Sequence, residues 1–194
     1  MAPAPVVHRY ALEKLYSDQD PDWVIDALPA VVAWFGADPG PSGVTFDVER
    51  APSPSSKSVH VTLEVGWNMA ALEARSPGVA SLARRMRVGR TVQREHVVEL
   101  AGYGLALVAI SKLMPGRRVT HMERYRAPDL LFDATPGALR GVEVAARTSG
   151  GWGAIHSMNA EKRDALRSRD DIAELHLSLW CKAPRVGALT GVPT

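Results

Sequence analysis

Two acidic residues in the C-terminal half lie where a charged side chain is costly. Asp129 follows Pro128 at the start of one predicted strand, and Glu143 lies inside the next strand between two valines. A buried carboxylate is unfavourable unless it is paired, and a divalent cation bound by two such groups removes that cost. A predicted turn over residues 135–137 makes the two strands neighbours. The spacing therefore predicts a metal site at Asp129 and Glu143.

The same two acids also fit a structural role without a metal. Asp129 can cap a turn after Pro128, and Glu143 can pair with Arg140 or Arg147 along its strand. Both interpretations stay open on the sequence alone. They differ in whether the two carboxylates come together at one place.

The elements that would position these acids follow from the hydrophobic pattern after residue 91. A long helix is predicted from Val92 to Leu113, with Thr91 as its N-cap. Strand, strand, strand, helix and strand are predicted next, over residues 119–125, 129–133, 142–146, 160–169 and 175–179. A glycine-rich loop over 148–153 precedes the second helix, and a last strand is predicted over 186–192.

Residues 1–90 are predicted to form an N-terminal elaboration of helices and a β-hairpin. Its predicted elements are helices over 8–16, 20–35 and 68–86, the last interrupted near residue 77, and strands over 44–48 and 59–65. The core is then 91–194. The long helix after residue 91 leaves no clean linker, so we expect one compact unit.

The run Pro128-Asp129, a gap, and then Glu143-Val144-Ala145, within that order of elements, resembles the PD-(D/E)xK nuclease superfamily. The resemblance covers about residues 91–192. It implies an α+β or α/β protein with a restriction-endonuclease-like core, in which helices flank a mixed sheet. It also implies hydrolysis of phosphodiesters in DNA with Mg²⁺, or with Mn²⁺ in its place.

The resemblance implies a role for each residue of the motif. Asp129 and Glu143 would bind the metal, together with the main-chain carbonyl of Val144. A glutamate on the first core helix often completes such a site. Glu95 and Glu99 are the candidates, because residues four apart share a helix face. Each of these two glutamates also fits a solvated helix surface.

The sequence departs from the family's pattern at one catalytic position. The family's lysine should lie two residues after Glu143, where this chain has Ala145. Strand alternation puts Arg147 on the same face as Glu143, so Arg147 is one substitute, and Lys162 on the following helix is the other. Arginine is a poor proton shuttle because it stays charged. A migrated lysine, an inactive fold and a substitution introduced at Ala145 all fit the sequence.

Composition and charge narrow the class of protein further. The chain has 194 residues, a formal net charge of +2 and one cysteine, which excludes an intrachain disulfide and a cysteine-rich zinc site. We find no secretory pattern and no uncharged run long enough to cross a bilayer, and we predict a cytoplasmic protein without a membrane partner. A basic cluster that could follow a phosphate backbone comprises Arg84, Arg85, Arg87, Arg90 and Arg94.

Two functions are therefore predicted. The first is a metal-dependent DNA endonuclease, or a DNA-acting protein with the nuclease fold. The second is a catalytically inactive nuclease-fold subunit of a defence, toxin–immunity or phage-related assembly, present as a homodimer or in a larger complex. The paired acids favour the first function, whereas Ala145 and the low net charge favour the second.

Overall fold

The computed structural model describes residues 6–36, 42–88, 92–123, 126–166 and 169–194. These residues form one mixed sheet with helices on both faces, which is an α+β architecture. The strands are β1 (Val6–Ala11), β2 (Gly43–Ala51), β3 (Val59–Gly66), β4 (His121–Met122), β5 (Leu130–Asp133), β6 (Leu139–Ser149), β7 (Ile172–Ala183) and β8 (Val186–Val192). The helices are α1 (Leu15–Asp18), α2 (Pro21–Phe35), α3 (Met69–Arg75), α4 (Val79–Val88), α5 (Arg94–Leu113) and α6 (Gly151–Leu166).

The strands of the described chain follow the order β1-β3-β2-β8-β7-β6-β5-β4 across the sheet. The pairs β1–β3, β2–β8 and β6–β7 are parallel, and the other neighbours are antiparallel. Residues 47–51 of β2 pair with residues 186–190 of β8. Strands from the 1–90 and 91–194 segments therefore share a single sheet.

Two apolar layers cover the two faces of this sheet. The larger layer lies beneath α2 and α5 and contains the fully buried Trp180. The smaller layer lies beneath α6 and contains Ile155. Because side chains alternate along a strand, β6 directs Val144 into the first layer and Ala145 towards the second. Glu143 lies on the same face as Ala145, beneath α6.

Two glycines let α5 pack closely on both of its neighbours. A Cβ atom at Gly102 would lie 3.0 Å from the Cβ of Ala146 in β6, and one at Gly104 would collide with Val31 of α2. Any larger residue at these positions would push the helix away. The glycines thereby hold the N-terminal half of α5 against the strand that carries Glu143.

The strands and helices that carry the predicted site residues have the predicted types. The boundary between β6 and α6 differs from the prediction. The second core helix begins at Gly151 rather than at 160, and β6 continues to Ser149. The predicted glycine-rich loop is thus reduced to little more than Gly150, whose φ of 111° suits glycine. Contacts with the sheet stabilise a helix start that the glycine content disfavours.

The helix predicted over residues 8–16 is wrong. Its first part is β1, which pairs in parallel with β3, and its second part is a 3₁₀ turn over Leu12–Lys14 followed by the start of α1. A helix of nine residues is marginal by itself, and the open edge of β3 offers backbone partners instead. The strand predicted over 119–125 is reduced to β4 in the described part, and Arg90 and Thr91 lie outside the described residues.

One helix of the described chain, α5, is long and apolar enough to cross a membrane by length and composition. Inside the fold, 78% of its most apolar stretch is buried. Buried core helices pass the same test. The cytoplasmic location stays a prediction.

Candidate active site

A cleft of about 600 Å³ opens between the N-terminal half of α5 and the strands β5 and β6. The ladder between β5 and β6 stops at the pair Leu130 and Val142. Beyond that pair, β6 has no further partner strand on this side within the described residues, and its free edge forms the floor of the cleft. Asp129 lies just before β5, and Lys162 reaches the cleft from α6. The cleft is thus built where two strands separate.

Asp129 accepts two hydrogen bonds, yet its ionised form is still electrostatically unfavourable. Its Oδ2 accepts a hydrogen bond of 2.7 Å from the main-chain N–H of Val144, and its Oδ1 accepts one of 3.2 Å from the Tyr103 hydroxyl. Burial, followed by the charge of Glu143, raises the pKa of Asp129 to about 7. The ionised form therefore needs more positive charge than the protein itself supplies.

Glu143 is the most deeply buried acid of the site, with 4% of the residue exposed. Its Oε1 accepts a hydrogen bond of 2.5 Å from Nζ of Lys162. Its Oε2 is buried and has no hydrogen-bond partner among the residues that the structure describes. An unpartnered buried carboxylate oxygen is costly, and a bound cation would satisfy it.

Lys162 reaches from α6 to the buried carboxylate of Glu143. Burial acts to lower the pKa of Lys162, but the hydrogen bond to Glu143 and the charges of Glu143 and Asp129 raise it above its ordinary value. Its side chain keeps 32% exposure, so the ammonium can still reach the cleft. Lys162 therefore stays protonated at neutral pH and faces a ligand in the cleft.

Arg147, the other proposed substitute, lines the same cleft but is bound elsewhere. Its Nη2 atom lies 2.8 Å from Oε1 and 3.0 Å from Oε2 of Glu161 on α6. Ser157 fixes Glu161 through a further hydrogen bond of 2.8 Å. The structure thus brings Lys162, rather than Arg147, into contact with Glu143.

Glu95 and Glu99 line the rim of the cleft from α5. The side chain of Glu99 is 53% exposed, and its Oε1 lies 3.5 Å from the Tyr103 hydroxyl. Neither glutamate contacts Glu143 or Lys162 directly in the described chain. The Tyr103 hydroxyl connects Glu99 to Asp129.

Tyr103 is a site residue that the sequence prediction missed. Burial, followed by the charges of Asp129 and Glu99, raises the pKa of Tyr103 far above its ordinary value, so the hydroxyl stays a donor. The signal was present in the spacing, because Glu95, Glu99 and Tyr103 are each four residues apart and share one helix face.

The donor set fits a magnesium-like ion rather than a closed protein cage. Within the described residues, no group of three or more His, Cys, Asp or Glu side chains could hold a metal. Mg²⁺ is commonly held by one or two carboxylates, with the remaining positions filled by water and substrate phosphate. The N–H and C=O of a strand residue point to the same edge, so the Val144 carbonyl lies on the edge of β6 from which its N–H contacts Asp129. Asp129, Glu143 and Val144 therefore match this requirement.

Comparison of the chain with protein-family models, curated proteins and solved structures finds no match. The residues of the cleft are therefore the basis for a proposed function.

Proposed function

We propose that this protein is a metal-dependent nuclease that hydrolyses phosphodiester bonds in DNA. The supporting observation is that Asp129 and Lys162 line one cleft, while the buried Glu143 accepts a hydrogen bond from Lys162 and acts on the charge of Asp129. Two carboxylates beside an ammonium are the groups that the PD-(D/E)xK resemblance implies. Lys162 on α6 would take the place of the family's lysine, whose position is Ala145.

The order of elements supports a restriction-endonuclease-like fold for the core. α5, β4, β5, β6, α6 and β7 follow one another as helix, three strands, helix and strand. The two acids come from neighbouring strands of a mixed sheet, with helices on both faces. This arrangement is the one that the resemblance implies.

Mg²⁺, or Mn²⁺ in its place, would be held by Asp129, Glu143 and the main-chain carbonyl of Val144. The cation would supply charge that polarises a phosphodiester and favours the ionisation of an attacking water. Glu143 would bind through Oε2, the oxygen without a partner, while Lys162 holds Oε1 in place. Asp129 is oriented by the Val144 N–H.

The other residues of the site would have separate roles in stabilising charge and in positioning Asp129. Lys162 stays protonated, so it stabilises the negative charge that develops on the phosphate oxygens as the phosphorus–oxygen bond breaks. Tyr103 is a positioning residue, because its hydroxyl fixes Oδ1 of Asp129. Glu95 and Glu99 remain candidates for a third carboxylate at the rim.

The first experiment measures Mg²⁺ and Mn²⁺ binding by calorimetry, with plasmid cleavage in parallel. Asp129→Asn is expected to abolish metal binding and to reduce cleavage by about 100- to 1,000-fold. Asp133→Asn is the matched control, because Asp133 lies at the other end of β5 and its carboxylate binds Thr135. No metal binding and no cleavage by the unaltered protein would overturn the proposal.

A lysine exchange tests the role given to Lys162. Lys162→Met is expected to lose cleavage, and adding Ala145→Lys should restore part of it, because residue 145 lies on the same face of β6 as Glu143 and lines the cleft. A double variant as inactive as Lys162→Met, with metal binding intact, would contradict an ammonium in this role.

An inactive interaction subunit is the alternative function. The lack of a lysine at Ala145 supports it, and so does an apolar edge strand, because Val6 and Val7 of β1 are 60% and 45% exposed. Such an edge fits a second copy of the chain or another subunit of an assembly. Cleavage that Asp129→Asn abolishes would exclude an inactive protein.

A further inference from the structure

A second cleft continues the candidate active site along β6. Its volume is about 450 Å³, and it shares Arg94, Val98 and Thr148 with the first cleft. Arg87 of α4 and Lys182 of β7 also line it. We call the two joined clefts the groove.

Three cations lie at or near the second cleft: Arg94 lines both clefts, Lys182 lines the second, and Arg185 follows Lys182 in the turn between β7 and β8. Lys182 donates a hydrogen bond to the main-chain carbonyl of Trp34 and lies over the ring of Phe35. Burial lowers the pKa of Lys182, and the nearby charges of Arg94 and Arg185 lower it further. Like charges held this close destabilise the protein in the absence of an anion.

The acid partners that such a cluster would need are missing from the described chain. Arg94 and Arg185 make no ion pair or hydrogen bond through their side chains among the described residues. Other arginines that line clefts are compensated, since Arg117 binds Glu174 at 2.8 Å and Arg169 binds an aspartate at 2.6 Å. The contrast marks the cluster as a site for an external anion.

We propose that Arg94, Lys182 and Arg185 bind a backbone phosphate of the DNA strand whose scissile phosphate lies at Asp129 and Glu143. This inference rests on the proposed function for the identity of the strand. The free edge of β6 joins the two ends of the groove, so the strand lies along residues 144–148. The substrate is then a polynucleotide of several residues rather than a mononucleotide.

The test measures binding of labelled DNA by fluorescence anisotropy in the Asp129→Asn background, which keeps the DNA intact. The probes are a 20-nucleotide single strand, the matching duplex and a dinucleotide, each at several salt concentrations. Arg94→Gln and Arg185→Gln are the groove variants. Arg140→Gln is the matched control, an exposed arginine at the opposite end of β6.

Each groove variant is expected to weaken binding of a 20-nucleotide probe about 5- to 10-fold. The slope of the logarithm of the binding constant against the logarithm of the salt concentration should fall by about 1 in magnitude, as for the loss of one phosphate contact. The dinucleotide should bind weakly to all variants without distinction. Arg140→Gln should match its background protein. Thermal melting of each variant confirms that the exposed substitutions leave the fold intact.

Three outcomes separate this inference from the proposed function. Cleavage by the unaltered protein, with both groove variants binding DNA like the control, would overturn the groove and leave the nuclease. Reduced DNA binding by the groove variants of a protein that never cleaves would support the groove and overturn the nuclease. Absence of both binding and cleavage would overturn both proposals.

Discussion

Two clusters of charged side chains lie at opposite ends of α5, and they are built in opposite ways. At the C-terminal end, Glu174 accepts hydrogen bonds of 2.8 Å from Arg117 to both of its oxygens and one of 3.0 Å from His176. Burial acts to raise the pKa of Glu174, but His176 and Arg117 lower it below its ordinary value. At the N-terminal end, the pKa of Asp129 is raised to about 7.

Under the proposed function, the cluster at Glu174 is structural and the cluster at Asp129 binds a metal. Ionisation of Glu174 stabilises the folded protein, whereas ionisation of Asp129 destabilises it. The fold supplies Glu174 with enough hydrogen-bond donors for its ionised form, and one more donor near Asp129 would do the same there. The deficit at Asp129, with the unpartnered oxygen of Glu143 beside it, is the feature that a bound cation would remove.

The largest expected contrast is in catalysis. Asp129→Asn should reduce DNA cleavage by about 100- to 1,000-fold, because it removes a metal ligand and a fixed charge. Glu174→Gln should leave cleavage within about twofold while lowering the free energy of unfolding by about 1 kcal/mol, since it removes a charged hydrogen bond. Plasmid cleavage and urea unfolding of both variants check this. Equal losses of cleavage in Asp129→Asn and Glu174→Gln would contradict the proposed difference between the two clusters.

The second contrast removes the cation from each cluster. Lys162→Met leaves Glu143 buried without a partner and should lower the free energy of unfolding by about 2 to 3 kcal/mol. Arg117→Met should cost only about 1 kcal/mol, because Glu174 keeps His176 and is better solvated. Urea unfolding at pH 8 without metal compares them. A larger cost at Arg117 would contradict the assignment.

The third contrast is the pH dependence of stability in the metal-free protein. Below pH 4 Asp129 is neutral in both states, and as pH rises towards 7 only the unfolded chain ionises, so the folded state loses stability. Asp129→Asn should therefore be close to the parent in stability at pH 3 and become more stable than the parent as pH rises to 8, because the substitution removes a carboxyl whose ionisation the folded state opposes.

Glu174→Gln should change in the opposite direction over the same range. The stability from ionised Glu174 is present above its ordinary pKa and is lost as pH falls through its lowered value. This variant should therefore be less stable than the parent at pH 8 and close to it at pH 3. Melting temperatures at six pH values measure both trends, and parallel trends would refute the comparison.

The smallest expected effect concerns Tyr103. Tyr103→Phe should reduce cleavage about 5- to 10-fold, in keeping with the loss of a residue that orients a metal ligand. Because the lost hydroxyl favoured ionised Asp129, the rising limb of the pH–activity profile should also move to higher pH. A merely structural role would lower stability without moving that profile.

The proximity of Asp129 and Glu143 could be predicted because strand alternation and element order are local properties. Residues 143 and 145 share a face in any strand, and a turn at 135–137 joins neighbouring strands in most folds. The assignment of Lys162 over Arg147 could not be made from sequence. It depends on Glu161, which binds Arg147 on α6 and leaves Lys162 to reach Glu143.

The missed features all depend on tertiary contacts. β1 forms a strand only because β3 presents a free edge to it, and α6 begins at Gly151 only because the sheet lies beneath its first turn. The cluster around Lys182 joins residues that are 88 positions apart, from Arg94 to Lys182. No short-range pattern carries such information.

The position of β8 has a consequence for biosynthesis. β8 pairs with both β2 and β7 and so joins the two halves of the sheet, although it follows all of its neighbours in the chain. A nascent chain that has emerged only as far as β7 carries two unfinished sheets, each with an exposed edge able to pair with another chain. The ribosome must release residues 186–192 before those edges are closed. Partly synthesised chains are thus the form of this protein most prone to aggregate.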